Sequence, residues 1–138
     1  MRIRRKKPCG KPVRALLLLS ALGALAAPAQ AEPLQVVGYA GVLGEWELTA
    51  TVTEKARLWA REFSGPLTMK HVGICTQDGP EQKTGEIRFQ ISTLSSQLDA
   101  TLLVEGLQCT YSARSSNPYS GLMACPDRAA VPLKLWLR

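Results

Sequence analysis

The chain has 138 residues, 46% of them hydrophobic, and a formal net charge of +6. That charge is local: seven of the seventeen lysines and arginines lie in residues 1–14, which hold no acid, so residues 32–138 keep ten cations against eleven carboxylates. The basic balance therefore carries no argument for nucleic-acid binding, which needs a basic footprint on the folded part. A single histidine, with no G-x-S-x-G, H-E-x-x-H, P-loop or Rossmann fingerprint, leaves no recognised catalytic motif and points away from an enzyme.

Residues 1–31 have the three-part plan of a secretory signal peptide. The basic segment is followed by an apolar run over 15–27 and by Pro28-Ala29-Gln30-Ala31, a small-x-small cleavage pattern before Glu32. The run is shorter than the ~20 residues of a membrane-spanning helix. The expected product is one exported domain, residues 32–138, in the periplasm of a Gram-negative bacterium, with no membrane span after processing. A chain of that size buries roughly 65% of its unfolded surface, enough for one modest core.

Along the exported part the dominant period is two. Trp46, Leu48, Ala50 and Val52 alternate with Glu45, Glu47 and threonines, the pattern of a half-buried antiparallel strand. The next stretch is ambiguous. Ala56, Trp59, Ala60 and Phe63 recur at helical spacing, with Thr53 as an N-cap and Ser64-Gly65-Pro66 as a stop, which predicts a short helix over 54–63. The same residues also read as a strand running through Gly65-Pro66 into Leu67-Thr68-Met69. Ile87, Phe89 and Ile91 form the next apolar face. Then come Leu98, Ala100, Leu102 and Val104; Leu107, Cys109, Tyr111 and Ala113; Tyr119, Gly121, Met123 and Cys125; and Val131, Leu133, Leu135 and Leu137. Turn signals separate them, including Gln77-Asp78-Gly79-Pro80, Glu105-Gly106 and Asn117-Pro118. Seven or eight short strands with short connections predict an all-β antiparallel meander, either a barrel or a sandwich.

Cys9 leaves with the leader, so Cys75, Cys109 and Cys125 remain, and one of the three is left over. Pairing the last two cysteine-bearing runs about Asn117 sets Cys109 opposite Cys125 and Tyr111 opposite Met123. Opposed residues in a non-hydrogen-bonded pair have Cα atoms about 4.5 Å apart, within disulfide range. A Cys109–Cys125 bond is the expectation, with a bond from one of them to Cys75 as the competing connectivity. A metal clip lacks ligands at tetrahedral-site spacing, and a redox pair lacks C-x-x-C. No cofactor or metal is expected. The leftover cysteine implies a monomer or a Cys75-linked dimer.

Three groups are candidates for chemistry or contact. His71 and Cys75 share a face if their segment is a strand, the arrangement of a base and a nucleophile, but a third orienting group is missing. Asp78, Glu81 and Glu86 are acids on and beside one polar loop without calcium-loop spacing, and read as a solvated turn. Trp136 alternates out of phase with Leu133, Leu135 and Leu137. It should therefore stand on the outer face with Lys134 and Arg138, as a partner contact or as a cover for a neighbouring strand.

Gly44-Glu45-Trp46 resembles the G-x-W signature of calycins, the group of lipocalins, avidins and bacterial periplasmic inhibitors of secreted metalloproteases. The resemblance rests on those three residues and on the architecture. It implies a barrel with Trp46 at one end beneath a basic residue of the last strand, a role for which Arg138 and Lys134 are the candidates. The inhibitor version implies an N-terminal segment that enters a protease cleft, here Glu32-Pro33-Leu34-Gln35.

The functional expectation is a binding module for an apolar small molecule inside a barrel, or for a protein at its rim. The competing readings are an envelope protein without a ligand, making contact through Trp136 or the 77–85 loop, and a hydrolase built on His71 and Cys75.

Overall fold

The structure is a computed structural model that describes residue 27, residues 30–73 and residues 79–138. Most of the expected signal peptide lies outside the described residues, as do Cys75 and Asp78. Eight strands follow in chain order: β1 (Leu34–Ala40), β2 (Trp46–Ala56), β3 (Ala60–His71), β4 (Gln82–Ser92), β5 (Gln97–Val104), β6 (Leu107–Arg114), β7 (Tyr119–Ala124) and β8 (Val131–Leu137). Each pairs antiparallel with its neighbours in sequence, and β1 pairs with β8, so the sheet closes as an up-and-down barrel and not as a sandwich. Closure removes the unpaired edges that an open sheet exposes.

Every apolar face read from the alternation turns inward. Leu48, Val52, Ile87, Leu98, Leu102, Leu133 and Leu135 are fully buried, and Trp46, Ile91, Val104, Leu107, Tyr119, Cys125, Val131 and Leu137 pack against them from the two ends. β1 is the strand whose faces alternation does not single out. Its inner residues Val36, Gly38 and Ala40 are small, while Val37 and Tyr39 outside are also apolar, so the two faces do not contrast.

No helix forms at 54–63. β2 runs on to Ala56, the chain turns over 57–59, and β3 returns, with Glu54 opposite Phe63 and Ala56 opposite Arg61. The helical stripe has no use in this arrangement, because Ala56 and Trp59 are exposed and only Phe63 reaches the core. As a strand, the segment gains ladders on both sides. Phe63 then stacks on its β4 partner Phe89, with ring centroids 4.9 Å apart and planes 17° from parallel. The tip is tied by Arg61, which donates to both Glu54 carboxylate oxygens at 2.7 and 3.0 Å and holds that carboxyl below its ordinary range.

Two glycines permit the tight coiling of β3 and β4. A Cβ at Gly65 would strike the carbonyl oxygen of Thr51, and one at Gly85 would strike that of Leu103. Glycine inside a strand commonly marks such a close backbone approach.

Tyr111 brings the one side-chain nitrogen or oxygen among the described residues that is buried without a hydrogen-bond partner, its hydroxyl. Burial pushes the phenol up from its ordinary value to about 12. Leaving such a group unsatisfied costs about 1 kcal/mol or more. Tyr111→Phe should therefore raise stability by about 1 kcal/mol at neutral pH. Between about pH 10 and about 12 the unfolded chain gives up this proton while the native chain holds it, so wild-type stability falls as pH rises through that window. The variant loses this contribution, and urea midpoints at neutral and alkaline pH check both effects.

Candidate functional site

The barrel interior is not uniformly filled. Around Phe63 and Phe89 it is solid, with Ile87, Leu98, Leu102 and Leu133 leaving no exposed surface. Toward the end marked by Trp46 it widens into a cavity of about 360 Å³. Ala40 and Gly41 contribute little volume there, and the neighbouring inner residues are Met69, Met123, Val104, Leu107 and Val131. Two of these are methionines, whose unbranched side chains adapt to irregular spaces. The Cys109–Cys125 disulfide forms part of the wall, and Lys83, Glu45, Glu105 and Arg128 stand around it.

The disulfide is the bond expected from pairing about Asn117. Thr110 faces Ala124, Tyr111 faces Met123 and Ser112 faces Leu122, the same register. The two cysteine Cα atoms are 4.3 Å apart across sixteen residues of sequence. The competing bond to Cys75 is thereby excluded for both cysteines.

Trp46 is the first residue of β2 and pairs with Ala40 on one side and His71 on the other. The His71 ring meets it edge-on, with centroids 4.7 Å apart and planes at 81°. The Lys83 ammonium lies 5.1 Å from the Trp46 ring centroid, a cation–π distance. Lys83 also pairs with Glu81 at 3.6 Å. The cation over Trp46 therefore comes from β4. Arg138 sits at the far end of the barrel, where it exchanges two backbone hydrogen bonds with Gln35, and Lys134 is on the outer wall opposite Tyr39. The last strand cannot supply the cap, because β8 reaches the Trp46 end with its hydrophobic inner residues, Val131 and Leu133.

Gly44 lies in the β1–β2 turn at a positive φ of 67°. The turn is clamped by Glu45, whose carboxylate accepts from the Leu43 amide at 2.9 Å and whose carbonyl accepts from the Val72 amide at 2.7 Å. His71 has the Trp46 contact, and its backbone amide donates to Glu81 at 2.8 Å. Glu86 pairs with Arg88 at 3.7 Å, apart from Glu81. Among the described residues no three potential ligands come together for a metal.

Trp136 does stand on the outer face, but half-buried, with its ring edge-on to Tyr39 at 6.0 Å. It covers the β1–β8 seam. Of the two readings of Trp136, partner contact or cover for a neighbouring strand, this packing across Val37 and Tyr39, its nearest outward neighbours on β1, favours the cover.

Sequence reasoning placed Met123 on an inward face without singling it out for a site, and it missed Lys83, Met69 and Arg128. Lys83 was findable: the phase of Ile87 and Phe89, carried back two more steps through Gly85, places residue 83 inward. Its assignment to a polar loop hid this. Arg128 lies in a turn, where no periodicity applies.

A second, shallower groove of about 530 Å³ crosses the outer wall between β3 and β7. Several of its polar groups are already engaged, Glu62 by Arg57 and Arg88 by Glu86. Ser112 donates to Asp99 at 2.6 Å, and Gln97 donates to both Asp99 and Ser112. That favours a solvated wall over a site. Compared with known proteins, the chain matches no family model, no curated protein and no solved structure.

Proposed function

We propose that the protein is an exported small-barrel binding module that takes a small, mainly apolar ligand at the Trp46 end. The observation that carries this reading is the mouth cavity. At about 360 Å³ it falls in the size range of ligand pockets, roughly 300–1,000 Å³. It has an apolar floor and a few charged groups at its edge, the usual composition of such pockets. The solid packing around Phe89 limits how deep a ligand goes, so the bound molecule is short or presents only one end. Lys83 and Arg128 suit a negatively polarised group left at the rim. The calycin-like reading draws support from the up-and-down barrel and from Trp46 at one end under a cation, with Lys83 in the role the resemblance assigned to the last strand.

Export to the periplasm is part of the same proposal. It draws support from the leader pattern before Glu32 and from the disulfide, a bond that persists in oxidising compartments.

The test uses chain recovered from the exported fraction, with Glu32 expected as its first residue. An apolar naphthylamine probe should bind with enhanced fluorescence and alter Trp46 emission. Trp46→Ala should weaken binding at least about tenfold, the equivalent of ~1.4 kcal/mol. Ala129→Trp fills the cavity from an exposed turn and should weaken it without touching the core. Trp136→Phe should leave it unchanged. Probe binding that survives both Trp46→Ala and Ala129→Trp sinks the assignment.

A further inference from the structure

The opposite end of the barrel has a different chemistry. Three turns close it: residues 57–59, 93–96 and 115–118. They are joined into one surface. Thr93 donates to the Trp59 carbonyl through its amide and, at 3.1 Å, through its hydroxyl, and Ser115 donates to the Ser96 carbonyl at 2.7 Å. Out of this surface stand Leu58, 92% exposed, Leu94, 83% exposed, and Trp59, 72% exposed. Large apolar side chains grouped on protruding turns call for a covering phase.

Charge identifies which phase. The three turns contain one arginine and no carboxylate. Around them stand Lys55, Arg57, Arg61, Arg114 and Arg138, against Glu32, Glu54 and Glu62 among the described residues. Glu54 is paired with Arg61 and Glu62 with Arg57, which leaves Lys55, Arg114 and Arg138 against Glu32. The turns at the Trp46 end also expose apolar residues, Val42 and Leu43, but carry four acids, Glu45, Glu81, Glu105 and Asp127, against Arg128.

We propose that the Leu58–Trp59–Leu94 end docks on the anionic surface of a lipid bilayer. Tryptophan favours the membrane–water interface, leucines on the tips enter the acyl boundary, and flanking cations face acidic headgroups. The direction of the chain fits. Leu34 pairs with Val52, and Gln35 is bonded to Arg138, so the chain enters β1 at this end. The apolar run 15–27 precedes that entry by a few residues of sequence. Until cleavage before Glu32, a leader engaged with the membrane brings this end of the barrel to the bilayer. A second copy of the chain is the poorer occupant, because three side chains cover far less than the roughly 800 Å² per partner of a stable interface.

The test is sedimentation of residues 32–138, which contain all eight strands, with vesicles of phosphatidylcholine alone or mixed with phosphatidylglycerol. The chain should pellet with the mixed vesicles, less with the neutral ones, and less as salt rises. The triple substitution Leu58→Ser, Trp59→Ser, Leu94→Ser should lower partition at least tenfold while leaving the melting temperature in place. Arg114→Gln should lower it about fivefold on the anionic vesicles only. Equal pelleting of the triple variant and the wild type overturns the proposal. So does a wild type that pellets with neither vesicle. Self-association that the triple variant abolishes also overturns it and assigns the patch to a second copy.

Discussion

Replacing Phe89 with alanine should lower the free energy of unfolding by about 3–5 kcal/mol, the range for deleting a buried aromatic side chain. Phe89 is 1% exposed and lies at the centre of β4, stacked on Phe63 of β3 and set opposite Ala100 of β5. The cavity it leaves cannot collapse easily, because the walls are two-sided ladders whose backbone positions are set by the closed hydrogen-bond circuit. A domain of this size has about 5–15 kcal/mol of stability in total, so the variant should be near its limit at physiological temperature. Urea unfolding checks this: the midpoint falls and the slope stays the same. Phe89→Leu should recover more than half of the loss, because it restores volume in an unchanged register. A midpoint unchanged by Phe89→Ala would contradict the packing described.

The second large effect belongs to the disulfide. Closing a sixteen-residue separation stabilises the fold by about 3 kcal/mol on the chain-entropy account. The suitable variant is Cys109→Ala with Cys125→Ala, because Cys109 is buried and a serine there would bury a hydroxyl. Melting curves with and without a reductant check it. The wild type should lose stability in reductant and approach the double variant, and the variant should not respond. The bond also forms part of the wall beside Met123 and Trp46, so the variant should bind the apolar probe more weakly even where it remains folded. Thiol counting on the unfolded, non-reduced exported chain should return one free group, Cys75, or none where a Cys75-linked dimer runs on a non-reducing gel. Two or more free thiols would contradict the bond.

Much of the barrel was legible because alternation is a local property. A half-buried strand writes its inside and outside into consecutive residues, and the runs at Trp46–Val52, Ile87–Ile91 and Leu98–Val104 carry that contrast. The Cys109–Cys125 pairing was legible for a related reason: a turn at Asn117 leaves one register that puts apolar residues and both cysteines on one face. Segment 54–63 was not legible, because Ala56, Trp59, Ala60 and Phe63 satisfy a helical period and a strand equally in isolation. The choice was made by β4, which offers Phe89 as a stacking partner and a second ladder. The cation over Trp46 was misassigned because the motif names a role, while the position of Lys83 is a matter of register.

The sequence by itself determined the alternating strands from Trp46–Val52 and Ile87 onward with their inward faces, the hairpin that carries the disulfide and the leader-like pattern at the N-terminus, since each of these depends on neighbours a few residues apart; β1 and the 54–63 segment lay outside it. Only the tertiary structure decided that β1 meets β8 to close a barrel, and that His71 and Lys83 hold Trp46 beside an unfilled mouth. It alone decided that Leu58, Trp59 and Leu94 gather at one end, on turns that hold no carboxylate. These features join residues far apart in the chain, and the energy that selects them comes from ring closure and packing across the barrel, which no local pattern records.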